Sequence, residues 1–146
     1  MKLMKIYLAS PFFNTEEVAI YRNVINDLRN AGHEVYVPQE HTIENAWDLS
    51  NKDWAVQVYL NDVNAIRECE MVMILNFGIY SDSGTAWEAG YAYAMEKVTI
   101  QVLCGGSNAT YSLMMMNGCD KVISLDNLIH FEEQSSRANF DKVIQK

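Results

Sequence analysis

The stretch EMVMILNF, at positions 70–77, constrains the fold more than any other part of this chain. It has no alternation of apolar and polar residues. A strand built from it must therefore be covered on both faces, as in the middle of a parallel sheet flanked by helices. The rest of the sequence has to supply those neighbouring strands and covering helices.

It does so in alternation. Lys5–Ala9 reads as a strand ending at Ser10-Pro11. Asn14 offers an N-cap, with Glu17 three residues on in the manner of a capping box. Val18, Tyr21, Ile25 and Leu28 follow at helical spacing, and Gly32 marks the helix end. HEVYVP is a second strand stopped by Pro38, and residues 39–52 read as polar and irregular. From Trp54 to Arg67 the helical period returns, with Val56, Tyr59, Val63 and Ile66 as its apolar face. After the 70–77 strand, a helix is expected from about Gly84 to Glu96. VTIQVL and KVISL are the fourth and fifth strands, joined by a loop and a short helical stretch around LMMM. The tail from about Ser135 reads as a last helix. This is the pattern of an α/β fold: a flavodoxin-like, doubly wound, five-stranded parallel sheet with helices on both faces. At 146 residues the expectation is a single domain spanning 1–146.

Composition narrows the function. A net charge of −8 argues against a nucleic-acid partner, because a phosphate backbone requires a basic footprint. No run approaches the roughly 18 apolar residues of a membrane span, so no membrane partner is expected. The opening MKLMKIYLASPFF is too short in its apolar run for a signal peptide. Cys69, Cys104 and Cys119 are odd in number and lack metal-type spacing, and the histidines show no zinc signature. The cysteines read as reduced, mostly buried thiols of a cytoplasmic protein.

In a doubly wound sheet, ligands bind beyond the carboxyl ends of the strands. The loops to inspect are therefore SPFFN, PQEHT, GIYSDSGT and CGGSN. The third is the most unusual. Asp82 and Ser83 stand where a strand gives way to a helix, and Gly84 allows a tight turn or close approach. An N-cap role for Asp82 is the simpler alternative. Glu88 shares a helix face with Gly84, Tyr91, Ala92 and Met95, so it points inward from an otherwise apolar surface. Asp62 sits likewise beside Val58, Tyr59, Ala65 and Ile66. Each carboxylate alone could be an exposed residue at the edge of its helix. Together they match the paired carboxylates that split a glycosidic bond, one as nucleophile and one as acid. Tyr7 can reach a carboxylate across the end of the sheet. Phe12, Phe13, Trp47 and Trp54 offer flat surfaces for a base, or simply core and lid packing. CGGSN lacks the Lys and the spacing of a P-loop, and the methionines at 114–116 suit core or interface packing.

With Asp62, Asp82 and Glu88 aligned, the chain resembles the nucleoside 2-deoxyribosyltransferase family from KIYLASPFF through CDKVISL. The specific parts are WAVQVYLNDVNAI (54–66) and DSGTAWEAGYA (82–92), the latter similar to the signature D-x-G-x-x-x-E-x-G-Y-A. The resemblance implies a nucleotide-salvage enzyme that moves 2-deoxyribose between nucleobases with retention, through a covalent sugar–enzyme intermediate. Glu88 matches the nucleophile, and Asp62 the carboxylate that handles the proton of the base. Asp82 matches the residue holding the sugar hydroxyls, and Tyr7 the tyrosine orienting the nucleophile. Ser10, Phe12, Gly84, Trp54 and Gln39, with His41 as the alternative to Gln39, fall where substrate contacts are expected. Deoxynucleosides and free bases are the implied partners, and no metal or organic cofactor is required.

Three departures stand out. Ser112 occupies the place of an Asn that a neighbouring subunit contributes in the family. This still implies a homo-oligomer, a dimer or higher, with a shared site. The loop VPQEHTIENAWDLS follows the family pattern loosely, and FDKVIQK lacks an aromatic end. A related branch hydrolyses deoxynucleoside 5′-monophosphates, and Ser10, Ser83 and Ser112 keep that alternative open. A catalytically silent nucleotide-binding module is a third reading.

Overall fold

The computed structural model describes residues 2–80 and 82–133. The strands are β1 (Lys5–Ala9), β2 (Glu34–Tyr36), β3 (Met71–Asn76), β4 (Val98–Leu103) and β5 (Lys121–Ser124). The helices are α1 (Thr15–Asn30), α2 (Asn51–Glu68), α3 (Ser83–Ala94) and the short α4 (Leu113–Asn117). Single 3-10 turns lie at Pro38–Glu40 and Ala46–Asp48, and a longer 3-10 stretch covers Leu125–Glu133. The sheet order is β2-β1-β3-β4-β5 with every pairing parallel. This is the expected doubly wound α/β fold. The tail helix expected from Ser135 lies outside the described residues.

β3 is central and every residue of it is buried, as its unbroken apolar run requires. Side chains alternate across the sheet. Ile6, Leu8, Met71, Met73 and Leu75 pack with Tyr21, Val24, Ile25 and Leu28 of α1. Tyr7, Ala9, Val72 and Ile74 pack on the other face with Ala65 and Ile66 of α2 and Ala89 and Ala92 of α3. The order reverses between β1 and β3, so the crevice of the fold opens beyond their carboxyl ends, at Ser10 and Phe77.

The termini of α1 form as read. Asn14 accepts a hydrogen bond from the Glu17 amide at 2.9 Å, and Glu17 accepts one from the Phe13 amide at 3.0 Å. At the other end Gly32 has φ +98°, and the amides of Gly32 and His33 bond back to Arg29 and Leu28. That is a Schellman closure, which needs the left-handed backbone that glycine adopts freely.

Two expectations for α2 are corrected. It begins at Asn51, capped by Ser50, because that hydroxyl satisfies the Asp53 amide three residues before the apolar period starts. Its apolar face is also not uniformly buried. Val63 and Ile66 are in the core, whereas Val56 and Tyr59 are about half exposed. Tyr59 keeps one ring contact, edge-on to Trp87 of α3 at 5.7 Å, while Trp54 and Val58 line a cleft. Met95 caps α3 from outside the helix and is exposed, so it does not share the buried face of Glu88. All three cysteines are buried, and no helix among the described residues is long and apolar enough to cross a membrane.

Candidate active site

β1 carries Tyr7 on the α2/α3 face of the sheet, wholly buried. One turn into α3, Glu88 comes down onto the same place. The Tyr7 hydroxyl donates to Glu88 Oε2 in a very short hydrogen bond. This contact joins residues far apart in the chain, and it explains how α3 can hold a carboxylate on its inner side.

Burial pushes the Glu88 carboxyl up to about 7. The Tyr7 hydrogen bond works against that rise, while the charges of Asp62 and Asp82 add to it. Burial also raises Asp62 to about 6, with the His41 imidazole acting in the opposite direction. Tyr7 itself is pushed far above its ordinary range by burial and by the charge of Glu88, so it remains a donor. Strong perturbation at the strand ends of a cleft is the physical signature of reactive carboxylates.

The carboxylates open into a cleft of about 870 Å³, a size that suits a small organic molecule. Ser10, Phe12 and Phe13 from the β1 loop line one side, and Gln39 and His41 from the β2 loop line another. Trp47, Trp54, Asn61 and Asp62 come from the 46–48 turn and α2. Asp82 and Glu88 come from α3. Four acidic side chains (Asp48, Asp62, Asp82 and Glu88) line the cleft, and no Lys or Arg does so among the described residues. Phe12 and Phe13 stack at 5.8 Å. Trp47 is fully exposed at the rim.

Asp82 is the N-cap of α3 and also borders the cleft. Its Oδ2 caps α3, accepting from the Thr85 amide at 2.8 Å and the Thr85 hydroxyl at 3.0 Å, and the residue still lines the cleft. Gly84 does not line the cleft. It lies in the neighbouring groove between α2 and α3, with Tyr59, Trp87 and Ile66. Its value is steric: a Cβ there would stand 3.1 Å from Asp82 Oδ2 and crowd the cap. Ser112 is likewise outside this cleft, and its hydroxyl caps α4 by accepting from the Met115 amide. Ser10 is at the wall, its hydroxyl donating to the Pro11 carbonyl at 2.8 Å.

Sequence reasoning missed the support behind these walls. Tyr36 stacks on Tyr7 at 5.5 Å, because the two are register partners on β2 and β1. Arg29 at the end of α1 donates to both Glu40 carboxylate oxygens from its two terminal guanidinium nitrogens, at 2.5 and 2.9 Å. The aromatic residue at the register position of Tyr7 was a signal available in the sequence, whereas nothing in it announced the Arg29–Glu40 pair. Among the described residues no cluster of His, Cys, Asp or Glu side chains is placed to hold a metal ion.

A parallel α/β sheet with two raised carboxylates and an acidic, aromatic-lined cleft at its switch point is the arrangement of a small-molecule site in a doubly wound fold. The chain belongs to the nucleoside 2-deoxyribosyltransferase family, whose sequence pattern matches residues 6–118. Family membership makes it an enzyme acting on nucleosides. The structure is similar to a 2-deoxyribosyltransferase from Bacillus psychrosaccharolyticus, with a TM-score of 0.77 and 28% identity, covering 90% of this chain and 92% of that one. It is similar also to a 2-desoxiribosyltransferase from Leishmania mexicana (TM-score 0.50, 25% identity, 80% and 72% covered). The CMP N-glycosidase BcmB of Clostridium botulinum shares the fold at 20% identity (TM-score 0.57, 89% and 99% covered). No curated protein sequence matches the chain.

Proposed function

We propose that the protein transfers 2-deoxyribose from one nucleobase to another by a retaining double displacement. The observation that carries this reading is the Tyr7-held Glu88, which lines a cleft of about 870 Å³ together with Asp62. In the first half-reaction an ionised Glu88 oxygen attacks the anomeric carbon and the N-glycosidic bond breaks. Asp62 delivers its proton to the departing base nitrogen, leaving a neutral base and a deoxyribosyl ester on Glu88. In the second, the nitrogen of an incoming base attacks the same carbon, Asp62 takes the proton, and Glu88 is released as carboxylate. Asp82 holds the sugar hydroxyls, and Phe12 and Trp54 flank the base. Inversion at each step gives net retention.

The productive state has Asp62 protonated and Glu88 ionised. With the two carboxyls raised to about 6 and about 7, kcat/KM should follow a bell with its maximum between those values.

The second reading is hydrolysis of a 2-deoxynucleoside 5′-monophosphate, with water in place of the incoming base. The acidic lining disfavours it. Bringing a unit of phosphate charge to about 4 Å from one carboxylate costs about 4 kcal/mol at an effective dielectric of about 20. No cation among the described residues of the cleft offsets that cost.

Incubation with a deoxynucleoside and a second free base, followed by chromatography, separates the readings. A new deoxynucleoside is the expected product, and Glu88→Ala should abolish it. Free sugar without exchange would favour the hydrolase. Binding without turnover would favour a silent module, and full activity in Glu88→Ala would end the proposal. The active form is expected to be a homo-oligomer whose site is completed near Ser112 of a second copy.

A further inference from the structure

We propose that His41, rather than Gln39, reads the edge of the nucleobase and sets base affinity in this cleft. The proposal rests on the nucleoside reading above and deepens it. Three observations carry it.

The first is a stack of three rings. Tyr7 packs on Tyr36 at 5.5 Å with 13° between planes, and Tyr36 packs on His41 at 4.1 Å with 8°. The inner ring holds Glu88 and the outer ring is in the cleft wall. His41 is therefore placed relative to the attacking carboxylate by rigid contacts, although it lies at the start of an irregular loop.

The second is the clamp on the adjoining residue. Arg29 binds Glu40 in two-point fashion and also donates to the Val35 carbonyl at 2.9 Å. This ties the Pro38–Glu40 turn to α1 and β2. A bidentate guanidinium–carboxylate pair fixes direction as well as distance. Ring stack and clamp together immobilise residue 41 before any ligand arrives, which lowers the ordering cost of binding.

The third is that His41 has bonding capacity to offer. Neither ring nitrogen bonds to another described residue, while the ring lines the same cleft as Asp62 and acts on it electrostatically. A neutral imidazole presents one donor and one acceptor, and exchanging tautomers exchanges their places. It can therefore pair with a base edge bearing a carbonyl or an amino group. The ligand class is a heterocyclic base with a donor or acceptor substituent on the edge turned from the sugar. Gln39 lines the wall too and is exposed like His41, but it has no stacking or hydrogen-bonded support among the described residues.

The decisive variant is His41→Phe, which keeps a flat ring on Tyr36 and removes both nitrogens. Adenine and hypoxanthine are the probes. Their equilibrium binding is measured by calorimetry, and their KM as acceptors in the exchange assay. In His41→Phe both measures should weaken by about ten- to a hundredfold, the range for losing a paired polar contact, with kcat at saturating base changed only a few fold. His41→Asn, which retains a donor and an acceptor, should recover part of the loss, and Gln39→Ala should weaken base binding by a smaller factor than His41→Phe does. A merely structural ring would leave His41→Phe unchanged. Wild-type base affinity in His41→Phe, or a larger loss in Gln39→Ala, would overturn the assignment. If wild type binds bases but does not exchange them, the transferase reading falls while the calorimetry still decides His41. If wild type binds neither base, both fall.

Discussion

Tyr7 gives Glu88 its only side-chain hydrogen bond among the described residues, and that makes the hydroxyl a tuning group. Burial raises Glu88, and the Tyr7 bond restrains the rise. The proposed mechanism needs the proton on Asp62, although Glu88 holds it more tightly. Removing the hydroxyl in Tyr7→Phe raises Glu88 further and depletes that state. The expected result is a fall of about tenfold or more in maximal kcat/KM, with the pH profile broadened on its alkaline side. A pH–rate profile superimposable on wild type would show that Tyr7 is only packing. At this scale the residue types were legible in the sequence. Glu88 and Asp62 stood out as carboxylates on apolar helix borders, and Asp82 as a residue at a helix start. His41 was named only as the alternative to Gln39, and neither its stacking on Tyr36 nor the Arg29–Glu40 pair was foreseen, because each depends on a partner brought in from another element.

Among the elements, α4 is the most suggestive. It is five residues long, too short to persist without packing. Tyr111 and Met116 anchor it in a small core cluster with Val122 and Cys119. Leu113 and Met114 face outward, Met114 with 82% of its surface exposed. The LMMM stretch is thus half core and half surface, and Ser112 caps the helix beside that surface. Light scattering should give a mass of at least two 16.7 kDa chains. Leu113→Asp with Met114→Asp should shift it toward one chain and cost exchange activity in parallel. A fully active wild-type monomer would remove the shared-site proposal. Burial of α4 could not be read from composition, since four adjacent apolar residues do not reveal which of them meets a neighbour.

For the whole molecule, the candidate active site is a thermodynamic burden with a definite pH dependence. Glu88 moves from its ordinary 4.5 up to about 7 on folding. A carboxyl raised in the folded state is fully compatible with folding below about 4.5, and it destabilises increasingly as pH rises through 7. Above that, the shift corresponds to about 3 kcal/mol. Glu88→Gln keeps an acceptor for Tyr7 and removes the buried charge. It should be inactive, yet more stable than wild type by about 2–3 kcal/mol at pH 8, with the difference vanishing near pH 4.5. Thermal melts of both proteins across this range test it. Equal stabilities at pH 8 would mean that water reaches Glu88 freely.

The sequence by itself determined the layers. An unbroken apolar strand requires cover on both faces, the helical periods supply it, and Asn14, Gly32 and Asp82 mark helix ends through bonds to amides or carbonyls a few residues away. Such signals are local, so they survive in one dimension. The motif also placed the carboxylates on their helices. Only the tertiary structure decided which of the named residues share a cleft. It brought Tyr7 to Glu88 and His41 to Tyr36, and it kept Gly84 and Ser112 off that wall. It also left Val56 and Tyr59 of an amphipathic face half exposed. The reason is that helical and strand periods specify which side of an element is apolar. Where that side ends, and what stands across from it, depends on the register and length of strands far away in the chain.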